Sequence, residues 1–198
     1  MNLAFLASNN GSSLRAIVAA IDAGQLAATP RLVVSNRRAA PVLDFAREHG
    51  ITALWIPTNA DPATADERLA AALRAADVEL VILSGYLRKL GPVTLNAFPG
   101  RILNIHPALL PKYGGQGMYG RRVHEAVIAA GDRETGATVH LVDEHYDHGA
   151  TVAQVIVPVD PGDTAELVER KVMAAEPGLF ISTLQRIATG ELTLPVAA

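Results

Sequence analysis

The sequence predicts an α/β fold with a mostly parallel central sheet, helices on both faces, and an antiparallel portion near the C-terminus. Between residues 2 and 83, short apolar runs alternate with segments whose apolar residues recur at helical spacing. This alternation is typical of parallel strands joined by crossover helices. Residues 137–142 and 151–157 are two further strand-like runs joined by a short polar stretch, which predicts an antiparallel pair.

The first half of the chain supplies four predicted strands and three predicted helices. Residues 2–7 form an apolar run typical of a buried strand, and the small polar turn 8–13 follows at once. Apolar residues then recur at helical spacing up to Gly24, which predicts a helix that ends there. The other predicted strands are 31–35, 53–56 and 79–83, and the other predicted helices are 41–49, ended by Gly50, and 63–76.

The second half begins with a strand at residues 102–106 that Pro107 ends. A loop with four glycines in nine residues, 112–120, follows it, and this composition is typical of a mobile loop or of one that wraps closely over a ligand. The remaining predicted elements are a helix at 123–130, a half-exposed strand at 137–142, a strand at 151–157, a helix at 164–188 interrupted or kinked at Pro177, and a short apolar tail.

Composition limits the classes of protein to which the chain can belong. With 198 residues and 49% hydrophobic content, we expect a single globular domain, 1–198. The net charge of -3 and the absence of a Lys/Arg run argue against a nucleic-acid or membrane partner. The absence of cysteine excludes disulfides and thiolate chemistry. Residues 1–7 are too short for a membrane span and have no basic start, so we expect a cytoplasmic protein.

Two polar side chains, Asn104 and His106, interrupt the apolar run that ends at Pro107. In open α/β sheets, ligands bind just beyond the carboxyl ends of the strands, so an Asn-x-His at this point is well placed for chemistry. An amide and an imidazole can donate hydrogen bonds to a carbonyl oxygen as it gains negative charge. The alternative is a capping Asn and a structural His.

A third candidate, Asp147, lies in the polar loop before Gly149. A carboxylate beside an amide and an imidazole suits acyl transfer to an amine, because it can relay the proton that the attacking nitrogen loses. Asp147 is equally well explained as a turn residue that caps its own backbone. A metal site that includes His140 is not favoured, because strand alternation sends His140 and its neighbours to different faces.

The turn before the first helix is a candidate anion site. A helix N-terminus presents free amides and a positive dipole end, and Gly11 lets the backbone approach a phosphate closely. The alternative is an ordinary helix cap by Ser12 or Ser13. The turn has neither a GxGxxG nor a Walker pattern, so binding of a dinucleotide or ATP is not favoured.

Four motifs resemble the phosphoribosylglycinamide formyltransferase family in order and approximate spacing. They are Ser8-Asn-Asn-Gly-Ser-Ser13, Gly85-Tyr-Leu-Arg-Lys-Leu90, Leu103-Asn-Ile-His-Pro-Ala-Leu-Leu-Pro-Lys112 and Tyr146-Asp-His-Gly149. The resemblance implies the three-layer formyltransferase fold, with a Rossmann-like sheet. It also implies transfer of a formyl group from 10-formyltetrahydrofolate to the amine of glycinamide ribonucleotide, without a metal. The phosphate-binding half would span residues 1–100 and the folate and catalytic half residues 101–198.

The resemblance also assigns roles to individual residues. Asn104 and His106 would stabilise the tetrahedral intermediate, and Asp147 would orient His106 and assist proton transfer. The ribonucleotide would contact Gly11, Ser12, Ser13 and Glu176, and the folate would contact Leu87, Arg88, Lys89, Leu90, Asn104, Asp143, Glu144, His145, Tyr146 and Asp147. Without the family, Glu176 is better explained by a solvated helix face, and Arg88 is equally well explained as a surface charge.

Departures from the family pattern leave alternatives open. At the phosphate turn, Asn9 replaces a glycine and Ser13 an asparagine, and no arginine for the folate tail is identified in 61–68. Methionyl-tRNA formyltransferase is disfavoured because a different sequence follows its Asn-x-His-Pro core. A formyltetrahydrofolate hydrolase, which normally has an extra N-terminal domain, and a non-catalytic phosphosugar- or folate-binding module remain as alternatives. The sequence is compatible with a monomer or a homodimer.

Overall fold

The computed structural model describes residues 1–194, in which seven strands form one sheet and six helices flank it. The strands are β1 Asn2–Leu6, β2 Thr29–Ser35, β3 Thr52–Trp55, β4 Leu80–Leu83, β5 Ile102–His106, β6 Glu134–Leu141 and β7 Thr151–Pro158. The helices are α1 Ser12–Asp22, α2 Pro41–Glu48, α3 Pro62–Ala75, α4 Pro92–Ala97, α5 Arg121–Ala130 and α6 Ala165–Ala188. All strands and helices predicted from the sequence are present, with ends shifted by a few residues.

The strand order is β3-β2-β1-β4-β5-β6-β7. The first five strands pair in parallel, whereas β5–β6 and β6–β7 are antiparallel pairs. The predicted parallel sheet with an antiparallel C-terminal portion is therefore confirmed. The carboxyl ends of β1, β4 and β5 lie at one edge of the sheet, because these adjacent strands run in the same direction.

Apolar side chains are buried on both faces of the sheet, as predicted. One cluster includes Phe5, Ile17 and Phe180, and the other includes Leu6 and Ile102. Since successive side chains of a strand point to opposite faces, neighbours such as Phe5 and Leu6 belong to different clusters. Both faces must therefore be covered by helices, and all four residues of β4 are buried.

The prediction that residues 137–142 form a half-exposed strand is wrong, because β6 is buried from its second residue to its last. β6 lies between β5 and β7 in the sheet. Its polar Thr138 is buried because the hydroxyl donates to the Ala108 carbonyl at 2.6 Å and accepts from the Leu110 amide at 3.0 Å. Backbone groups of the segment after β5 thus replace water as hydrogen-bond partners.

Two helices also differ from prediction. The short helix α4 was not predicted, because six residues are too few to show a helical spacing of apolar residues. The Asp66 carboxylate caps this helix by accepting from the amides of Val93 and Thr94. α6 continues through Pro177, so the predicted interruption is wrong; buried residues on both sides of the proline, including Val172 and Phe180, stabilise the continuous helix.

Of the predicted apolar tail, residues 195–198 lie outside the described residues. No helix within residues 1–194 is long and apolar enough to cross a membrane.

Candidate active site

Asn104 and His106 lie on one face of β5 at its carboxyl end, because they are two residues apart in a strand. Asn104 pairs across the ladder with His140, and His106 pairs with Thr138. His106 is 3% exposed and Asn104 is partly exposed. The face that carries them points toward the loop that contains Asp147.

Each ring nitrogen of His106 has a defined neighbour. Nε2 donates to the Tyr113 carbonyl at 2.7 Å, and since a carbonyl only accepts, Nε2 carries a hydrogen. Nδ1 faces the Asp147 carboxylate, with 3.5 Å between Nδ1 and Oδ2. A hydrogen on Nδ1 makes this second contact attractive, because a lone pair on Nδ1 would face the negative carboxylate.

Asp147 is directed into the protein and does not cap its own turn. Its side chain is 12% exposed, Oδ2 accepts from the Gly115 amide at 3.0 Å, and Oδ1 lies 3.5 Å from Nε2 of His140. The capping residue of this loop is instead Asp143, whose Oδ1 accepts from the His145 amide at 2.7 Å. The structure therefore brings together all three residues that the sequence marked as catalytic candidates.

A fourth side chain, His140, belongs to the same cluster and was not identified from the sequence. Its Nδ1 donates to the Leu141 carbonyl at 2.8 Å, and its Nε2 accepts from Nδ2 of Asn104 at 3.0 Å. Burial lowers the pKa of His140, which favours the neutral imidazole that can accept this bond. His140 thereby fixes the orientation of the Asn104 amide, leaving the second Nδ2 hydrogen for a ligand.

A sequence signal for His140 exists in hindsight. Thr138 and His140 are polar and two residues apart in an apolar strand, which repeats the pattern of Asn104 and His106. The antiparallel pairing of β5 and β6 places His140 directly opposite Asn104. Register between distant strands is not visible in a local pattern.

A cleft opens beside this cluster, between the segment after β4 and the loop after β6. It includes eight of the ten residues predicted to contact folate, the exceptions being Leu87 and Glu144, whose side chains are exposed. Four residues that were not predicted also line it, namely Leu83, Tyr86, His140 and Val142. Burial raises the pKa of Tyr86 to about 12, so its hydroxyl stays protonated and can donate.

The cationic side chains of the cleft are held in place. The Arg88 guanidinium donates to Oδ1 of Asn59 at 2.7 Å, and the Lys89 ammonium lies 5.8 Å from the centre of the Tyr146 ring. Arg88 and Lys89 both line the cleft and are exposed to solvent there.

The N-cap residue of α1 is Gly11, which has no side chain to cap the helix. Gly11 has a left-handed backbone with φ 63°, and a Cβ there would lie 2.8 Å from a methyl group of Val42, so glycine is needed. The predicted alternative, a cap by Ser12 or Ser13, is not what the structure has. The hydroxyl of Ser84 instead accepts from the Leu14 amide at 3.1 Å.

Glu176 is half-buried on α6, so the solvated helix face considered from the sequence is wrong. Burial raises the pKa of Glu176 to about 7. α6 packs against α1, α5, β6 and β7, which explains why its side chains are largely removed from water. A carboxyl group of this kind gains from a polar ligand that replaces the lost hydration.

Across residues 1–194, no three His, Cys, Asp or Glu side chains are grouped so that they could hold a metal ion. His145 and His148 stack on each other with ring centres 5.7 Å apart, and both are exposed.

Comparison with known proteins gives consistent similarities. The family model described as "Formyl transferase" matches residues 1–184. The phosphoribosylglycinamide formyltransferase of Escherichia coli strain K12 is 35% identical over 196 residues, which are 98% of this chain and 90% of that protein. The crystal structure of glycinamide ribonucleotide transformylase 1 from Symbiobacterium toebii superposes with a TM-score of 0.89 at 33% identity, covering 100% of this chain and 94% of that one.

A plant relative is longer than this chain. The chloroplastic phosphoribosylglycinamide formyltransferase of Vigna unguiculata is 38% identical over 187 residues, which cover 93% of this chain. The chain spans only 60% of the length of that relative.

Proposed function

The chain belongs to the formyl transferase family, and we propose that it transfers a formyl group from 10-formyltetrahydrofolate to the amine of glycinamide ribonucleotide. The observation that carries the proposal is the convergence of Asn104, His106 and Asp147 at the carboxyl end of β5. These groups suit attack of an amine on a formyl carbon, and the reaction is a step of purine biosynthesis.

The roles of the three residues follow from their hydrogen-bonding capacity. The free Nδ2 hydrogen of Asn104 and a hydrogen on Nδ1 of His106 donate to the formyl oxygen as the amine attacks and the oxygen becomes negative. Asp147 orients the imidazole, because its carboxylate faces Nδ1 of His106.

The bonds and protons of the transfer balance without an external reagent. The new bond joins the substrate nitrogen to the formyl carbon, and the bond that breaks joins this carbon to N10 of the folate. The proton that the amine loses passes to N10, with Asp147 and a water as relay. No step requires a metal.

The two substrates occupy the first turn of α1 and the cleft beside the catalytic cluster. The ribonucleotide phosphate accepts from the amides of the first turn of α1, near Gly11, Ser12 and Ser13, and Glu176 contacts the rest of the ribonucleotide. The folate occupies the cleft between residues 86–90 and 143–147. We assign the phosphate-binding half to residues 1–100 and the catalytic half to residues 101–198 of a single domain.

A steady-state assay tests the function. Purified protein is given a 10-formylfolate donor with and without glycinamide ribonucleotide, and both deformylation of the donor and formylation of the ribonucleotide are followed. We expect deformylation only when the ribonucleotide is present, in equal amount to the formylated product. Deformylation without it would support a hydrolase, and none under either condition, with both ligands bound, would support a non-catalytic binding protein.

Loss of the serine hydroxyls at the phosphate turn is expected to act on substrate binding. The double variant Ser12→Ala, Ser13→Ala should raise the KM for the ribonucleotide about tenfold, because hydrogen bonds to a charged group are lost. The KM for the folate and the kcat should change little. Ser182→Ala is the matched control, since this serine is exposed on α6. A rise in both KM values would contradict a specific phosphate contact.

The buried carboxyl of Glu176 predicts a pH-dependent stability. Its folded pKa of about 7 lies above the ordinary value of 4.5, so the stability it permits is complete below pH 4.5 and is lost as the pH rises through 7. Glu176→Gln should therefore match the parent protein near pH 4 and exceed its free energy of unfolding by roughly 2–3 kcal/mol at pH 8. Urea denaturation at both pH values measures this, and equal stability at pH 8 would contradict it.

A further inference from the structure

The turn formed by residues 113–115 contacts both members of the His106–Asp147 pair. The Tyr113 carbonyl accepts from Nε2 of His106 at 2.7 Å, and the Gly115 amide donates to Oδ2 of Asp147 at 3.0 Å. Between them, Gly114 is packed so closely that a Cβ would lie 2.6 Å from a methyl group of Leu110 and 3.3 Å from Cβ of Asp147. The position of this turn, which we call the bracket turn, therefore fixes both side chains.

The backbone of Tyr113 is in the left-handed region, with φ 57°. This conformation is uncommon for residues other than Gly, Asn and Asp, and it is strained for a bulky residue. The conformation aims the carbonyl at His106, and the structure around Tyr113 must hold it there.

A hydrogen bond outside the catalytic cluster holds the Tyr113 side chain in place. Its phenol donates to Oδ2 of Asp132 at 2.8 Å, and the Lys112 ammonium donates to both oxygens of the same carboxylate at 2.9 and 3.2 Å. Lys112 and then Tyr113 hold the pKa of Asp132 below its ordinary range, so this carboxylate is ionised and is a strong acceptor. Asp132 lies between α5 and β6, in a rigid frame that the sheet and the helix define.

We propose that Tyr113 and Asp132 are positioning residues, which anchor the bracket turn and thereby set the acceptor of His106 Nε2 and the distance from His106 to Asp147. Without the phenol–carboxylate bond, Tyr113 relaxes toward an ordinary backbone conformation and its carbonyl leaves His106. The sequence alone did not suggest this role, because Asp132 is separated from His106 by the whole glycine-rich loop and α5.

The test uses variants that remove the phenol–carboxylate bond: Tyr113→Phe, Asp132→Ala and the double variant. The matched control is Tyr119→Phe, since Tyr119 lies in the same loop and is 58% exposed. The first readout is the ¹⁵N and ¹H NMR of the histidine side chains, with His106 assigned by comparison with His106→Gln. We expect Tyr113→Phe to shift the Nε2 signals of His106 and to speed exchange of its hydrogen, while Tyr119→Phe leaves both unchanged.

The kinetic arm of the test rests on the proposed function. There, Tyr113→Phe and Asp132→Ala should each lower kcat about 3- to 10-fold, with both KM values within about twofold, as the loss of one hydrogen bond predicts. The double variant should lose no more than either single variant, because both remove the same bond.

The NMR and kinetic measurements distinguish the positioning role from the proposed function. Parent-like His106 signals in Tyr113→Phe, or additive losses in the double variant, would overturn the positioning role. Shifted signals in a protein that transfers no formyl group would support the positioning role and overturn the proposed function. If Tyr113→Phe does not fold, as judged by circular dichroism, Asp132→Ala is measured in its place, and parent-like His106 signals in that variant would overturn the proposal.

Discussion

Replacing His106 with alanine is expected to lower kcat for formyl transfer by roughly two to four orders of magnitude, the combined effect of losing an oxyanion donor and a proton-holding group. The ribonucleotide Kd should stay within about twofold, since the phosphate site at α1 is built from other residues. The imidazole is the group through which the bracket turn and Asp147 act, because it contacts both. Its removal therefore disables more of the site than any other single change.

Stability must be separated from chemistry in this experiment. His106 is buried, so alanine leaves a cavity, and His106→Gln is measured beside it to fill most of the space. His49→Gln is the matched control, because His49 is exposed at the end of α2. Steady-state kinetics give kcat, and isothermal titration with the ribonucleotide gives Kd. Equal losses of binding and turnover in both His106 variants would identify a structural histidine.

The elements of the fold were predictable from the sequence because each one has a local signal. The spacing of apolar residues and the turn residues between them indicated every strand. β4, which is buried on both faces, is an uninterrupted apolar run. The exposure of β6 was not predictable in this way. Thr138 looks like a solvent-facing residue, yet the backbone of Ala108 and Leu110 satisfies it, and those residues are about thirty positions away in the chain.

The same distinction divides the candidate site. Asn104, His106 and Asp147 were found because their polarity conflicts with a strand or marks a loop at the end of one. His140 was missed because its contact with Asn104 depends on the register of β5 and β6, which no local pattern encodes. Glu176 looked solvated because helix α6 is weakly amphipathic in sequence, whereas its packing against several elements removes water from it.

Asp147→Asn is expected to lower kcat by roughly two to three orders of magnitude with little change in either KM, because it removes a charge and a proton acceptor at the reacting centre. Asparagine is the appropriate replacement for geometric reasons. Asp147 has φ 59°, a conformation that asparagine tolerates. The amide oxygen can still accept from the Gly115 amide, and the amide nitrogen takes the place of Oδ1, which lies 3.5 Å from Nε2 of His140.

The variant therefore keeps the shape and the hydrogen bonds of the loop while the charge that faces Nδ1 of His106 is lost. Without that charge the imidazole is oriented less firmly for donation to the formyl oxygen and the acceptor for the amine proton is lost, so both contributions weaken together. Asp44→Asn, an exposed aspartate paired with Arg47 on α2, is the matched control. Stopped-flow measurement of a single turnover isolates the chemical step. A single-turnover rate within about threefold of the parent protein would assign Asp147 a structural role only, because removing an essential general acid or base costs far more.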